Sequence, residues 1–403
     1  MKYLVILGDG MADEPVVELN GMTPLEAAHI PNMDYLAAHG DTGMAKTIPD
    51  GMAPGSEIAN LSMMGYDPAL YFTGRSPLEA VSIGIKLEDD DVAMRCNLVT
   101  ISDTECFEDA VMKDHSAGDI STGEAKALIE CVNQRLLNGD MHVYPGFSYR
   151  HCLILKHTGL GNELVPPHDI LDRPIREYLP KGRHAELLCS LMERSYYILR
   201  DHPVNRTRRA CGKNIASCCW IWGEGTKPAL KPFEELHGIK GGVISAVDLV
   251  KGIGLLAGLQ SVDVDGATGT LDTNYEGKAQ AALDLLSGGC DFVYIHVEGP
   301  DECGHHGDAN GKVTAIERID KRILNPVIKE LDRWGEPYAI LLAPDHPTPI
   351  NLRTHTPKPI PFTIYRSGTP GTRPAKSFSE AAAARTGLYV AEGHTLITLF
   401  LER

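Results

Sequence analysis

The clearest chemical pattern in the sequence is a carboxylate followed four residues later by an imidazole, Asp301 and His305. Both come just after an apolar stretch that begins at Asp291, has the length of a strand and ends in a Gly-Pro pair, which continues a strand poorly. A carboxylate and an imidazole at this spacing can bind one divalent cation if the chain between them curls. Neighbouring glycines permit that curl. The sequence therefore predicts a strand that leads into a metal-binding loop.

Two other apolar stretches end in an acid just past a glycine or proline. One, at the amino terminus, reaches Asp9, and the other reaches Asp345 and His346. In an open parallel sheet, ligands collect beyond the carboxyl ends of the strands. We therefore expect Asp9, Asp301 and the Asp345-His346 pair to form one site, although they come from opposite ends of the chain.

Ser56 follows a loop rich in Pro and Gly and stands at a predicted helix start. Backbone N–H groups and the helix dipole favour an anion there, such as a phosphoryl group. Taken alone, a serine in this position is more often a simple N-cap. If Ser56 shares a site with the acids, a bound metal can lower the pKa of its hydroxyl and make it a nucleophile. His355 lies between prolines, has little use in a core, and is a further candidate ligand.

Length and composition limit the classes of function. A chain of 403 residues predicts two domains, and 43% hydrophobic with 23% charged residues is typical of a soluble globular protein. A net charge of −16 argues against nucleic acid or an anionic membrane as partner. It leaves a small phosphorylated metabolite open, because a local Arg cluster or a bound metal can reverse the sign within a cleft. The ten cysteines include no Cys-x-x-Cys pair, which favours reduced residues in a cytoplasmic protein.

The pattern of strand-like and helix-like segments changes near residue 85 and again near 215. We predict a metal-binding domain from residues 1–84 and 216–403, and an inserted domain from 85–215 that mixes strand-like and helix-like segments. Arginines in the inserted domain suit bidentate binding of carboxylate or phosphate, although each polar residue taken singly is more often an ordinary surface residue. The polar candidates are Arg95, Asn97, Asp114, His115, Ser116, Arg150, His151, Arg206 and Lys213.

The candidate ligands of the first domain supply oxygen and imidazole without thiolate, which suits Mn²⁺, Zn²⁺ or Mg²⁺. They number enough for two ions, which can activate a serine and neutralise a phosphoryl group during in-line displacement. The sequence lacks a Gly-x-x-x-x-Gly-Lys-Ser/Thr loop, so we expect no nucleotide. The candidates are Asp9, Ser56, Asp301, His305, Asp345, His346 and His355.

In their order, these motifs resemble the archaeal-type branch of the cofactor-independent phosphoglycerate mutases, within the alkaline phosphatase superfamily. The resemblance covers nearly the whole chain. It rests on Gly8-Asp9-Gly10, Pro54-Gly55-Ser56-Glu57, Arg95-Cys96-Asn97, Asp301-x-x-Gly304-His305, Pro344-Asp345-His346 and His355-Thr356.

The resemblance implies an α/β fold. It would have an alkaline-phosphatase-like core, with a mostly parallel sheet flanked by helices, and a smaller inserted α+β domain. Ser56 would be the transient phosphoryl acceptor, and two divalent ions, preferably Mn²⁺, would be cofactors. One ion would be held by Asp9, Ser56, Asp345 and His346. The other would be held by Asp301, His305 and His355.

The resemblance also implies an activity, the interconversion of 2- and 3-phosphoglycerate through a phosphoserine intermediate. Arg95, Asp114, Arg150 and His151 would orient the glycerate in the inserted, substrate-binding domain. Three alternatives keep part of this interpretation: an unusual homoserine kinase of threonine biosynthesis, a metal-dependent phosphatase, and a metal-binding interaction protein that has lost catalysis.

Overall fold

The computed structural model describes residues 1–402, which form two compact units. Unit 1 consists of Met1–Phe72 and the chain from Leu230 onward, and unit 2 consists of Thr73–Ala229. Each unit has its own buried apolar core. Within residues 1–402, no helix combines the length and apolar character needed to cross a membrane.

The regular elements are numbered along the chain. The strands are β1 Lys2–Gly8, β2 Asp41–Ala45, β3 Val92–Ile101, β4 Met112–Asp114, β5 Met141–Pro145, β6 Arg150–Leu155, β7 Asn162–Glu163, β8 Lys181–Gly182, β9 Cys218–Thr226, β10 Gly241–Ile244, β11 Gln260–Ser261, β12 Phe292–Val297, β13 Tyr338–Ala343, β14 Ile360–Arg366 and β15 Tyr389–Val390. The α-helices are α1 Pro24–Ala27, α2 Pro31–His39, α3 Ser56–Met63, α4 Pro68–Tyr71, α5 Ser76–Ser82, α6 Thr122–Leu136, α7 Ala185–Leu199, α8 Pro203–Ala210, α9 Phe233–His237, α10 Asp248–Leu256, α11 Tyr275–Ser287, α12 Gly299–His306, α13 Ala309–Ile319, α14 Asn325–Trp334, α15 Glu380–Arg385 and α16 Leu396–Leu401.

Unit 1 is built on one sheet with the strand order β11-β10-β12-β1-β13-β14-β2-β15. The pairings are parallel except for those of β14, which runs against both of its neighbours. The central strands β12 and β13 are buried along their whole length, which explains why they are continuous apolar runs in the sequence. The α/β fold class with a mostly parallel sheet is therefore confirmed. The carboxyl ends of β1, β2, β12 and β13 all lie at one edge of this sheet.

The segment after β12 is helical, so the predicted metal-binding loop is wrong in its local structure. Pro300 lies in the first turn of α12, where its missing N–H costs nothing. Gly307 ends the helix with a left-handed φ of 71°. The four-residue spacing of Asp301 and His305 therefore places both side chains on one helix face, and no loop has to curl for them to meet.

Unit 2 is an α+β unit with an antiparallel sheet. Its strand order is β4-β3-β6-β5, and β9 pairs with β3 as well. Helices α6 and α7 contribute apolar side chains to its core. The predicted mixture of strand-like and helix-like segments is confirmed, with β3 and β6 among the strands.

The unit boundaries differ from the predicted 84/85 and 215/216 positions, because two more segments pack into unit 2. In α5, Ala80 joins an apolar cluster that includes Ala93 and Ile154. Strand β9 falls within the range 216–403 predicted for the metal-binding domain, but it pairs with β3 from Val92 to Val99. Both segments were assigned by sequence position, whereas hydrogen bonding and burial place them in the second unit.

A buried lysine in α13 connects that helix to the loops at the edge of the sheet where the parallel strands end. Lys312 Nζ lies 2.6 Å from Asp13 Oδ2 and donates to the carbonyl oxygens of Ala12 and Thr348. Both charged side chains are 0% exposed. Such a pair stabilises a fold only while both partners are present, because a lone buried charge is strongly unfavourable.

We expect Lys312→Met to lower the free energy of unfolding by about 3–5 kcal/mol, because it leaves the Asp13 carboxylate buried without its cation. Urea unfolding followed by circular dichroism measures the change. The exposed Lys329 of α14 provides a matched control, since Lys329→Met should change stability by less than about 0.5 kcal/mol. Equal stability of the two variants would contradict the assigned role of Lys312.

Candidate active site

The sheet of unit 1 brings the predicted ligands together at the edge where its parallel strands end. Asp9 follows β1, Asp301 lies in the helix after β12, and the Asp345-His346 pair follows β13. Ser56 is the first residue of α3, which comes after β2. His355 reaches the same edge from the other direction, because it precedes the antiparallel strand β14.

His346 is the centre of a first group of side chains. Its Nε2 lies 3.1 Å from Ser56 Oγ, 3.4 Å from Asp9 Oδ1 and 3.5 Å from Asp345 Oδ2. The two carboxylates and the imidazole are at most 1% exposed. One donor atom from each of these three side chains lies within 4.8 Å of the others, which is close enough for all of them to contact one cation.

Asp301, His305 and His355 form a second group beside the first. His305 Nε2 is 3.2 Å from Asp301 Oδ2 and 2.9 Å from His355 Nε2. His355 Nε2 is also 3.4 Å from Asp301 Oδ1. The rings of His355 and His346 have centroids 4.1 Å apart, so the two groups adjoin. The structure thus brings together all of the side chains that the sequence nominated in this unit.

Burial and mutual repulsion control the charges of these groups. Burial, and after it the negative charges of Asp345 and Asp301, hold the pKa of Asp9 well above its ordinary range. Burial would also raise the pKa of Asp301, but hydrogen bonds from His305 and His355 outweigh it and hold that pKa well below the usual range. The hydrogen bond to Asp301 raises the pKa of His305 to about 9. Burial lowers the pKa of His346.

The donor set fits divalent cations. Asp9 Oδ1 is buried and makes no hydrogen bond to any of residues 1–402, and Glu298 joins Asp9 and Asp301 in a further cluster of carboxylates. Buried carboxylates at these distances require a proton or a counter-charge. Carboxylate oxygen, hydroxyl oxygen and imidazole nitrogen are ligands that Mg²⁺, Mn²⁺ and Zn²⁺ accept. The unpaired oxygen and the like charges are both accounted for if cations bind among them.

The turn after β1 requires a glycine. Gly10 has a φ of +61°, and a Cβ there would lie 2.6 Å from Asp301 Oδ1 and 2.5 Å from Thr348 Oγ1. Its backbone N–H donates to Asp345 Oδ1 at 3.1 Å. Gly10 therefore lets the chain pass close to Asp301 while it stabilises the charge of Asp345.

In unit 2, the arginine candidates are oriented by their neighbours. Arg95 donates from Nε and Nη2 to the Glu79 carboxylate, at 2.9 and 2.5 Å, and its guanidinium lies 4.5 Å from the centroid of the Trp222 ring. Arg150 is exposed, and its guanidinium stacks on the Tyr149 ring at 4.8 Å. Both guanidinium groups are thus held in defined positions, which favours directional contacts with an anion.

The other two residues that the resemblance assigns to glycerate, Asp114 and His151, accept hydrogen bonds from nearby backbone N–H groups. Asp114 accepts hydrogen bonds from the backbone of Ser116 and Gly118 and from the side chains of Ser116 and Asn214. These hydrogen bonds indicate that Asp114 stabilises the conformation of its own loop. Its direct contact with substrate stays a prediction. His151 is 5% exposed, and burial lowers its pKa to about 3, so it is neutral at pH 7. It therefore contributes no positive charge to anion binding.

Comparison with known proteins identifies the family of the chain. A sequence profile of 2,3-bisphosphoglycerate-independent phosphoglycerate mutase matches residues 37–205. The protein of that name from Methanosarcina barkeri is 49% identical over 403 residues, which cover 100% of both chains. The chain belongs to the 2,3-bisphosphoglycerate-independent phosphoglycerate mutase family. The resemblance seen in the sequence motifs is thereby confirmed.

Solved structures agree with this phosphoglycerate mutase family. A protein of Pyrococcus horikoshii aligns with a TM-score of 0.84 and 30% identity, over 99% of this chain and 96% of that one. The cofactor-independent phosphoglycerate mutase of Thermoplasma acidophilum aligns with a TM-score of 0.68 and 26% identity, over 100% of this chain and 99% of that one. These alignments extend over both units of the chain.

His296 is a residue of this mutase site that the sequence analysis missed. It is 0% exposed in β12, and its Nε2 lies 3.1 Å from Asp9 Oδ2. Its Nδ1 is 3.2 Å from Ser245 Oγ. Burial lowers its pKa to about 3, so the ring is neutral. The available signal was a histidine within an otherwise apolar strand, one residue before its end.

The pKa of His305 predicts how cation affinity depends on pH. At pH 7 the imidazole is protonated, and it must lose that proton before it can bind a metal. We expect the affinity for Mn²⁺ to rise with pH and to level off near pH 9, with proton release at pH 7. Calorimetry in buffers of different ionisation enthalpy measures both.

The adjacent histidine serves as the control for this experiment. His306 is in the same helix, 3.7 Å from Glu302 and away from the ligand cluster. His306→Ala should keep the wild-type pH dependence, whereas His305→Ala should flatten it above pH 7. A wild-type affinity that does not change between pH 7 and 9 would contradict the prediction.

Proposed function

We propose that this protein interconverts 2- and 3-phosphoglycerate, and that Ser56 carries the phosphoryl group between the two hydroxyls. The observation that carries the proposal is the position of Ser56 Oγ, at the start of α3 and 3.1 Å from His346 Nε2. A hydroxyl at this point faces a cluster of buried ligands and the positive end of a helix dipole. The names of the relatives support the same reaction.

Two divalent cations fit the donor groups of unit 1. Asp9, Ser56, Asp345 and His346 would hold one of them. The other would be held by Asp301, His305 and His355. When bound, such ions lower the pKa of a coordinated hydroxyl and neutralise negative charge on a phosphoryl group. Mn²⁺ is our preferred ion, with Zn²⁺ and Mg²⁺ as chemically acceptable substitutes.

The chemistry of the chain itself is a double displacement at Ser56. Ser56 Oγ attacks phosphorus, the bond from phosphorus to the C3 oxygen breaks, and the proton of the serine hydroxyl ends on that departing oxygen. Glycerate then presents its C2 hydroxyl, whose oxygen attacks the phosphoserine while the bond from phosphorus to Oγ breaks and the proton of the C2 hydroxyl passes to Oγ. No phosphate is released if glycerate stays bound and water is excluded.

The inserted unit supplies the groups that we propose for glycerate. Arg95 and Arg150 are the positive side chains suited to its carboxylate, since a guanidinium matches the planar geometry of a carboxylate. Glu79 accepts hydrogen bonds from Nε and Nη2 and so fixes one side of the Arg95 guanidinium. His151 and Asp114 would act indirectly, by holding the segments that carry or adjoin these arginines.

Ser56→Ala tests the proposal directly. We expect turnover of 3-phosphoglycerate to fall by more than about 10³-fold, because the phosphoryl acceptor is missing. A coupled assay measures turnover, and label from [³²P]3-phosphoglycerate should be found on the wild-type chain but not on the variant. Ser287→Ala, at an exposed helix position of the same unit, should retain wild-type activity. Undiminished mutase turnover in Ser56→Ala would rule out the phosphoserine.

The same assay separates the alternatives. Free phosphate as the only product from 3-phosphoglycerate would indicate a phosphatase. Turnover of homoserine with ATP, run in parallel, would indicate the kinase. We expect neither, and we expect a chelator to abolish mutase activity and Mn²⁺ to restore it.

A further inference from the structure

A buried tyrosine in one of the strands that lead into the site contacts the helix that carries Ser56. Tyr294 lies in β12, and its hydroxyl donates to Asn60 Oδ1 at 2.7 Å. Asn60 lies in α3, one turn after Ser56. Tyr294 and Asn60 are both 0% exposed. A hydrogen bond between two side chains so deeply buried is geometrically restrictive, because neither partner can exchange it for water.

The amide of Asn60 connects this tyrosine to two parts of the site. Its Nδ2 donates to Asp345 Oδ2 at 2.8 Å and to the backbone carbonyl of Ser56 at 2.9 Å. Both of these atoms are acceptors, so the NH₂ end of the amide must face them. The carbonyl end therefore faces Tyr294, which must be the donor. The donor and acceptor roles of the partners thus fix the orientation of each group in this chain of hydrogen bonds. We call the chain from Tyr294 through Asn60 to Asp345 the relay.

Asp345 depends on this relay for one of its two oxygens. Its Oδ1 accepts from the backbone N–H groups of Gly10 and His346, at 3.1 and 2.9 Å. Its Oδ2, on the other side of the carboxylate, is 3.5 Å from His346 Nε2 and accepts from Asn60. The backbone alone therefore leaves the carboxylate free to tilt about its Oδ1 contacts.

We propose that Asn60, held by Tyr294, is a positioning residue that fixes Asp345 and the first turn of α3 for the cation shared by Asp9, Asp345, His346 and Ser56. The inference rests on the two-cation function proposed above. It predicts a selective effect, because the second ligand group has different supports. Asp301 accepts from Thr348 Oγ1, and His305 Nδ1 lies 3.0 Å from the carbonyl oxygen of Arg353.

Tyr294→Phe is the test, since it removes one hydroxyl and keeps the ring in the sheet. Calorimetric titration of the chelator-treated full-length protein with Mn²⁺ should show two sites in the wild type. In the variant, one site should weaken by about 10–100-fold, the usual effect of removing a support behind a metal ligand. The other site should keep its wild-type affinity. At saturating Mn²⁺, KM should stay constant while kcat falls, because Ser56 is displaced rather than the substrate.

The control is a second buried tyrosine, two strands away from β12 in the same sheet. Tyr338 in β13 is 2% exposed, and its hydroxyl donates to the exposed Asp332 at 2.7 Å, so Tyr338→Phe also removes a side-chain hydrogen bond of a buried tyrosine. It should leave both Mn²⁺ sites unchanged. Asn60→Leu, which has similar size and lacks all three side-chain hydrogen bonds, should reproduce the selective loss seen in Tyr294→Phe.

The possible outcomes separate this inference from the function on which it rests. Two unchanged sites in Tyr294→Phe, or equal weakening of both, would overturn the positioning role alone. Unfolding of both Tyr294→Phe and Asn60→Leu, with a folded Tyr338→Phe, would assign the relay to stability and would overturn it too. A wild-type protein that binds no Mn²⁺ would overturn the proposed function, and the inference with it.

Discussion

Three carboxylates of unit 1 are buried side by side, and the electrostatic cost of this arrangement determines much of the structure around them. Asp9, Asp301 and Asp345 are at most 5% exposed. Their proximity follows from the topology, because parallel strands deliver whatever follows them to one edge of the sheet. The fold thus gathers like charges that would separate in water. Each carboxylate then needs its own means of stabilisation, and the three differ in how they obtain it.

Asp345 is stabilised by the backbone and an amide, through the N–H groups of Gly10 and His346 and through Asn60. Asp301 relies on imidazoles, which keep its pKa low. Asp9 has neither kind of support to the same degree, and its pKa is raised by burial and by its neighbours. The carboxylates that are costly to bury together are therefore also the ones proposed to bind metal. This agrees with the general tendency of functional groups to sit where local stability is sacrificed.

The positions of the three carboxylates could be predicted from the sequence, whereas several other features of the fold and the site could not. Continuous apolar runs mark buried parallel strands, so the positions of Asp9, Asp301 and Asp345 followed from where those runs end. The helix at residues 299–306 could not be predicted in this way, since Gly and Pro break a strand and begin a helix equally well. The place of β9 depended on its pairing with β3, which is a long-range contact. His296 and Asn60 were hidden because their roles arise from burial against residues far away in the chain.

Exposure changes across the site, and this gradient distinguishes the two ligand groups. The side chains of Asp345 and His346 are 0% exposed, whereas those of His355 and His305 are 21% and 36% exposed. A cation among the buried ligands would be enclosed on the Asn60 side, and one beside His305 would face solvent. Charges in the exposed group are screened more strongly and can exchange protons with water more readily. The buried group is therefore suited to hold Ser56 in one geometry, while the exposed group is the part of the site that responds to pH and to ions in solution.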